Sequence, residues 1–110
     1  MQPEQTNWSY NEFLAFVMIY AAEMNSKLSN EELDFIMQKT GVADINAIKA
    51  RVDNMTDAEN IEVIDNYKKA NLSTPESTLK AKHDLESLLK TPGQHNQLEK
   101  VVVHIIEKLF

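Results

Sequence analysis

Two adjoining stretches decide the fold. F-L-A-F-V-M-I-Y-A-A runs from Phe13 to Ala22, and N-S-K-L-S-N-E-E-L runs from Asn25 to Leu33. The apolar stretch follows Ser9-Tyr-Asn-Glu12, a sequence that predicts a capping box at the start of a helix. A helix that is apolar on every face is normally buried on all sides. We therefore expect the first helix, which ends near Met24, to lie at the centre of the fold.

Helix-start signals recur along the rest of the chain. They are capping boxes at Ser29–Glu32, Thr56–Glu59 and Asn96–Glu99, an N-cap at Asp44, a cap followed by a first-turn proline at Thr74–Pro75, and a helix stop at Gly41. No stretch of comparable length alternates with period two, as a strand would. The fold class is therefore all-α: a compact bundle of about six helices in one domain over residues 1–110, with residues 1–7 expected to be disordered.

A repeat is visible within this order. A shift of 67 residues places Ser29 on Asn96 and Glu32 on Glu99, so that cap falls on cap and box on box. The first and second helices thus look like a diverged copy of the fifth and sixth. We expect a pseudo-repeat of these two helix pairs, with the third and fourth helices between them.

Composition limits the classes of function. The chain has 110 residues, of which 43% are hydrophobic, and it has two glycines, three prolines and no cysteine. Disulfides and thiolate metal sites are therefore excluded. A net charge of −6 makes a poor surface for nucleic acid. The Phe13–Ala22 stretch is too short to span a membrane and lacks the flanks of a signal peptide. We expect a soluble, cytoplasmic protein.

We call the stretch from Asn25 to Leu33 the elbow. The elbow and the helix before it resemble the tellurite-resistance TerB-like domains over residues 13–41. In that family an apolar helix ends in Ala-rich sequence. The motif Asp-Gly-x-Ile/Val-Ser/Thr follows it, and the chain then continues with x-x-Glu-Leu. The residues of this chain that match are Leu28, Ser29, Glu32 and Leu33. Asn25 stands where the family favours Asp, and Ser26 stands where it favours Gly. The resemblance implies an all-helical domain without enzymatic activity, used in bacterial stress responses, whose acidic elbows have been linked to divalent cations.

The elbow itself has two interpretations. It is a turn that joins two helices, with Leu28 turned inward and Ser29 and Glu32 forming the cap, or it is a weak divalent-cation site made by Glu23, Asn25 and Glu32. The stretch also resembles the second half of a calcium EF-hand loop, but we do not favour this, because counting back from Glu32 places Ala21 at the first ligand position and no glycine at the sharp turn. We favour the turn, since an amide at Asn25 replaces a negative ligand.

Catalytic signals are weak. The three histidines, His83, His95 and His104, have no evident pair of further ligands, whereas catalytic zinc needs three protein ligands. No serine lies in a Gly-x-Ser-x-Gly turn, and no glycine-rich phosphate loop is present. We expect no enzymatic activity and no cofactor. An enzyme would require a pocket that gathers the elbow residues with a histidine from elsewhere.

The sixth predicted helix carries a wide apolar arc. Leu98, Val101, Val102, Ile105 and Leu109 fill one face, and Val103, Ile106 and Phe110 form an adjoining stripe. Such a helix is either clamped on two sides by its own domain, which we favour for six helices, or it offers the second stripe to a partner. Under the second interpretation Val103, Ile106 and Phe110 are the candidate partner-binding residues.

The sequence therefore predicts a non-catalytic helical module that docks a protein partner, or a second copy of itself, in a bacterial stress response. The alternative is a module that responds weakly to divalent cations through the elbow between Glu23 and Glu32.

Overall fold

The structure is a computed structural model, and it describes residues 9–25, 28–89 and 96–109. Within these ranges the chain forms six helices and no strand: α1 Tyr10–Asn25, α2 Asn30–Thr40, α3 Ile45–Asn54, α4 Asp57–Asn71, α5 Pro75–Leu89 and α6 Asn96–Leu109. The prediction of an all-α fold with about six helices is confirmed. The disorder expected for residues 1–7 lies outside the described residues.

Local capping chemistry sets where the helices begin and end. At Ser29 the hydroxyl accepts from the Glu32 N–H at 3.1 Å, and the Glu32 carboxylate accepts from the Ser29 N–H at 3.0 Å. Thr56 and Glu59 form the same reciprocal box. Gly41 ends α2 with φ 72°, a left-handed backbone angle that residues other than glycine rarely adopt. These three predictions are confirmed, whereas the side chains of the predicted box at Asn96 lie outside the described residues.

The predicted N-cap at Asp44 is wrong in its chemistry. Asp44 does precede α3, but its side chain makes no capping hydrogen bond. Its backbone has φ −94° and ψ 43°, outside the extended region from which a capping side chain reaches the next turn. Instead the Asp44 carbonyl accepts from the Ala47 N–H at 3.2 Å, which tightens the first turn.

The core is built around α1. Every residue from Phe13 to Ala22 is at most 7% exposed, and α1 packs against each of the other five helices. The Phe13 ring stacks on the ring of Tyr67 in α4, with centroids 4.0 Å apart. The Tyr20 hydroxyl is a polar group on this largely apolar helix, and it donates a hydrogen bond to Asp57 at the start of α4. No described helix is both long and apolar enough to cross a membrane.

Helix α6 is clamped between α1 and α5. Ile105 and Ile106 are both buried, and Ile106 is 0% exposed, while Val103 is half-buried against the core. The burial of Ile106 agrees with the favoured interpretation, in which the domain itself clamps α6, and not with the alternative in which Ile106 is exposed for a partner. Phe110, the third candidate, lies outside the described residues.

Candidate functional site

An acidic cleft opens where α1 ends, α3 ends and α4 begins. Its volume is about 380 Å³. It is lined by Tyr20, Glu23, Met24, Val52, Asp53, Met55, Asp57 and Asn60. We call it the α1–α3–α4 cleft. Its size is within the usual range for small-ligand sites.

The connection between α3 and α4 shapes one wall of the cleft. Val52 lies in the last turn of α3, and its carbonyl accepts from the Met55 N–H at 3.3 Å and from Asn60 Nδ2 at 3.2 Å. The side chain of Asn60 therefore ties the second turn of α4 to the end of α3. Asp57, the first residue of α4, is held at the rim by the capping box that begins at Thr56.

Glu23 and Asp53 bring two carboxyl groups together across α1 and α3. Lys49 Nζ lies 2.6 Å from Asp53 Oδ2 and 3.7 Å from Glu23 Oε1, so one ammonium serves both. Burial of the Glu23 carboxyl, with a hydrogen bond to Asp53 and the charge of Asp53, raises the pKa of Glu23. The Lys49 charge and the Leu28 N–H act on that pKa in the opposite direction without cancelling the rise.

Tyr20 and Asp57 form a hydrogen bond on the other side of the cleft. The Tyr20 hydroxyl donates to Asp57 Oδ1 at 2.6 Å, and the tyrosine is only 4% exposed. Burial and the bond to Asp57 raise the pKa of Tyr20, so the phenol stays protonated and remains a donor. Asp57 itself is exposed, so it faces both the tyrosine and solvent.

Two acceptor atoms in this cleft have no hydrogen-bond partner in the described part of the chain. One is Oδ1 of Asn60, a residue that is 3% exposed, and the other is Oε2 of Glu23. A buried acceptor left unpaired costs about 1–3 kcal/mol. Both atoms are closed to solvent, so they do not offer hydrogen bonds to a group that enters the open cleft.

Two of the three residues predicted for a cation site at the elbow, Glu23 and Glu32, have side chains that the structure describes. Glu32 is bound into the Ser29 capping box, whereas Glu23 faces Lys49 and Asp53, so the two carboxylates have different partners. The side chain of Asn25 lies outside the described residues. Among the residues that the structure describes, no group of three or more His, Cys, Asp or Glu side chains is placed to hold a metal ion.

The described histidines lie away from the α1–α3–α4 cleft. His83 is exposed on α5, along a shallow depression that also includes Leu79 and Glu86, and His104 is exposed on α6. His95 lies outside the described residues. The residues that line the cleft include no histidine.

Asn60, a buried residue that lines the cleft, was not predicted from the sequence. Asn60 is one turn before Ile64 and two turns before Tyr67, so it lies on the apolar stripe of α4. A polar residue at a core position of an amphipathic helix is a recognisable signal, because a buried amide needs partners. Asp53 and Asp57 carried no such signal, since charged residues near helix ends are common on solvated surfaces.

No model of a protein family matches the chain, and no curated protein or solved structure matches it significantly. The resemblance to TerB-like domains therefore stays a prediction.

Proposed function

We propose that this chain is a non-catalytic, soluble and cytoplasmic helical module of the TerB-like kind that docks a protein partner in a bacterial stress response. The observation that supports docking is the open acidic cleft itself, where Asp53, Asp57 and Met24 are exposed and can meet a partner. The TerB-like assignment rests on the resemblance over residues 13–41.

The proposal includes a finer architecture. The first helix acts as a central scaffold, and the pair α1–α2 is a diverged copy of the pair α5–α6. The burial of Phe13 to Ala22 supports the first part. The correspondence of Ser29 with Asn96 and of Glu32 with Glu99 supports the second.

Affinity capture with charge variants tests the docking function. The tagged full chain is used as bait in lysates of cells that naturally produce it, beside an Asp53→Asn, Asp57→Asn double variant. The matched control is Glu62→Gln, Asp65→Asn, which also removes two carboxylates but from exposed positions of α4 outside the cleft. Circular dichroism verifies that each variant is folded.

We expect a partner that the wild type and the control retain and that the cleft variant loses at equal ionic strength. A partner retained equally by all three would place docking elsewhere and overturn the role of the cleft. Sedimentation of the purified wild type, cleft variant and control tests whether the partner is a second copy of the chain. If the cleft variant dissociates a dimer that the control preserves, the partner is a second copy.

A second candidate function is a weak divalent-cation response. The observation in its favour is that Glu23 pairs with Asp53 and keeps one oxygen unpaired. Calorimetric titration with calcium, magnesium, zinc and manganese tests it, using Glu23→Gln to remove one ligand. Millimolar binding that the variant loses would support this function, and equal heats for both proteins would contradict it.

A further inference from the structure

Met24 is an exposed methionine that lines the α1–α3–α4 cleft. It lies in the last turn of α1, and the residue is 50% exposed. The apolar residues before it on the same helix are buried, since every residue from Phe13 to Ala22 is at most 7% exposed. The side chain of Met24 is therefore open to small molecules dissolved in water, although the rest of the helix is not.

The other described methionines are better protected. Met18, in the middle of α1, is 0% exposed, whereas Met37 on α2 and Met55 at the end of α3 are half-buried and pack against the core. The ease with which a sulfur-containing side chain is oxidised follows its exposure, and a buried one reacts only when the surrounding structure opens. The structure therefore ranks the four side chains by access: Met24 first, Met37 and Met55 next, and Met18 last.

The charge around Met24 favours a neutral oxidant. Asp53 and Asp57 are exposed on the same cleft, so an anionic oxidant is repelled there, whereas hydrogen peroxide is not. A lone pair of the thioether sulfur attacks one peroxide oxygen, so that an S–O bond forms and the O–O bond breaks. The leaving hydroxide takes the proton from the sulfur-bound oxygen and departs as water. The sulfur loses two electrons, the peroxide gains them, and the product is methionine sulfoxide.

Oxidation of Met24 changes the surface of the cleft and leaves the core untouched. A sulfoxide is polar, unlike the thioether that it replaces. In the free chain this group stays hydrated, because Met24 is exposed at the end of α1. Beneath a docked partner it loses its water beside two carboxylates, and burying a polar group without a hydrogen bond is unfavourable. The sulfoxide therefore weakens a contact that the thioether supports.

We propose that Met24 is a modification site, which hydrogen peroxide oxidises to the sulfoxide, and that this oxidation weakens the docking of a protein partner at the α1–α3–α4 cleft. The second part rests on the proposed docking function and supplies its regulation.

Peptide mass spectrometry of the peroxide-treated full chain tests the modification. Cleavage at Glu23 separates Met18 from Met24, so the sulfoxide at each methionine is followed over time. We expect Met24 to be oxidised several-fold faster than Met37 and Met55, and Met18 to react slowest. In urea the rates should become equal, because the fold produces the ranking. Equal rates in the folded protein, or faster oxidation of Met37 or Met55, would overturn the modification site.

Circular dichroism melts of the protein oxidised at Met24 test whether the change is confined to the surface. We expect the melting temperature of the untreated protein, because the buried part of α1 is not modified. A large decrease would show that the sulfoxide disturbs the core, and the role at the cleft would be rejected.

Binding of the captured partner measures the effect on docking. The bait is oxidised alone, and catalase removes the peroxide before the partner is added. We expect oxidation to weaken binding by about tenfold, the order expected when one buried methionine contact is lost. Met24→Leu has no sulfur at this position, so peroxide treatment should not weaken its binding further. Met37→Leu removes a thioether that does not line the cleft, and it should respond to peroxide as the wild type does.

Two results would reject the regulation: binding that survives full oxidation of Met24, or an equal loss on peroxide treatment of Met24→Leu. Failure of the regulation is distinguishable from failure of docking. A partner that the Asp53→Asn, Asp57→Asn variant loses and the oxidised wild type retains would leave docking intact. If no partner depends on the cleft, docking and its regulation fail together, and the mass spectra alone decide the modification site.

Discussion

Glu23 shows how one carboxyl group can be unfavourable for the fold. Its side chain is 13% exposed, it faces Asp53, and one of its oxygens is unpaired. Burial and Asp53 raise the pKa of Glu23, which means that the folded state disfavours the ionised form. At neutral pH the folded chain therefore holds this carboxyl group at a cost in stability.

Glu23→Gln should therefore stabilise the chain at neutral pH. Because the folded pKa is raised above the unfolded value, the wild type binds more protons when folded, and it loses stability as pH rises through this window. Glutamine keeps the shape and removes the charge. We expect a higher melting temperature for the variant at pH 7, and a difference that shrinks as pH falls below the ordinary glutamate pKa.

Thermal melts across pH 4 to 7.5 measure this effect, with Glu62→Gln as the control for loss of one exposed carboxylate. If Glu23→Gln lowers the melting temperature at neutral pH, the ion pair with Lys49 outweighs the burial of Glu23.

Ser29 represents the opposite case, a residue whose role is purely structural. Its hydroxyl accepts a hydrogen bond from the Glu32 N–H at the start of α2, and its own N–H donates to the Glu32 carboxylate. Ser29→Ala should lower the free energy of unfolding by about 1 kcal/mol through the lost cap. The loss should be the same with and without millimolar calcium or magnesium, since Glu32 is occupied by the cap.

Urea unfolding of wild type and Ser29→Ala measures this loss, and Thr56→Ala is a matched cap variant on α4. A strong stabilisation of the wild type by micromolar metal would instead show that the elbow is an ion site.

At the scale of the helices, prediction succeeded where the signal was local. The caps at Ser29 and Thr56 and the stop at Gly41 depend on residues within one turn, and each was predicted. Asp44 failed because the backbone angle, which sequence does not display, decides whether a cap forms. The apolar arc of α6 left two interpretations open, because an arc does not reveal which neighbouring helices cover it. The α1–α3–α4 cleft joins Glu23 to Asn60, and no local pattern links residues on three different helices.

Helix α6 provides a direct test of this packing. Ile106 is 0% exposed between α1 and α5, so Ile106→Lys would bury an unpaired charge and should unfold the chain. Ile106→Ala should retain the fold and cost about 2–5 kcal/mol. Val103→Ala, at a half-buried position on the same helix, should cost less.

Circular dichroism melts of the three variants distinguish a core position from an interface. Should Ile106→Lys keep the wild-type melting temperature and abolish self-association, α6 would present the stripe that contains Val103 and Ile106 to a partner.

In the described part of the chain, α1 packs against each of the other five helices. Phe16 lies near its middle and is 0% exposed. Phe16→Ala should cost about 3–5 kcal/mol, a large share of the 5–15 kcal/mol typical of a domain. Chemical denaturation measures this cost, and a loss below about 1 kcal/mol would contradict the central position of α1.

A polar cluster connects α1 to α5. The Tyr10 hydroxyl donates to Asp84 Oδ2 at 2.6 Å across 74 residues of sequence, and Lys80 binds the same carboxylate at 2.7 Å. Lys80 also lies 4.9 Å from the centre of the Tyr10 ring. The Lys80 and Tyr10 hydrogen bonds lower the pKa of Asp84. Stability from this carboxylate is therefore present above its ordinary pKa and is lost as pH falls through the lowered value.

A double-mutant cycle with Tyr10→Phe and Asp84→Asn measures how strongly this cluster fastens α1 to α5. The Asp84 side chain is 35% exposed, so solvent screens the interaction, and we expect a coupling of about 0.5–1 kcal/mol at pH 7. Because the neutral acid no longer attracts Lys80, the coupling should fall as the pH is lowered through the lowered pKa of Asp84. Lys80→Met in the same background should reduce it as well, since the ammonium helps to hold the carboxylate against the tyrosine. A coupling that is zero at neutral pH would mean that apolar burial alone fastens the two helices.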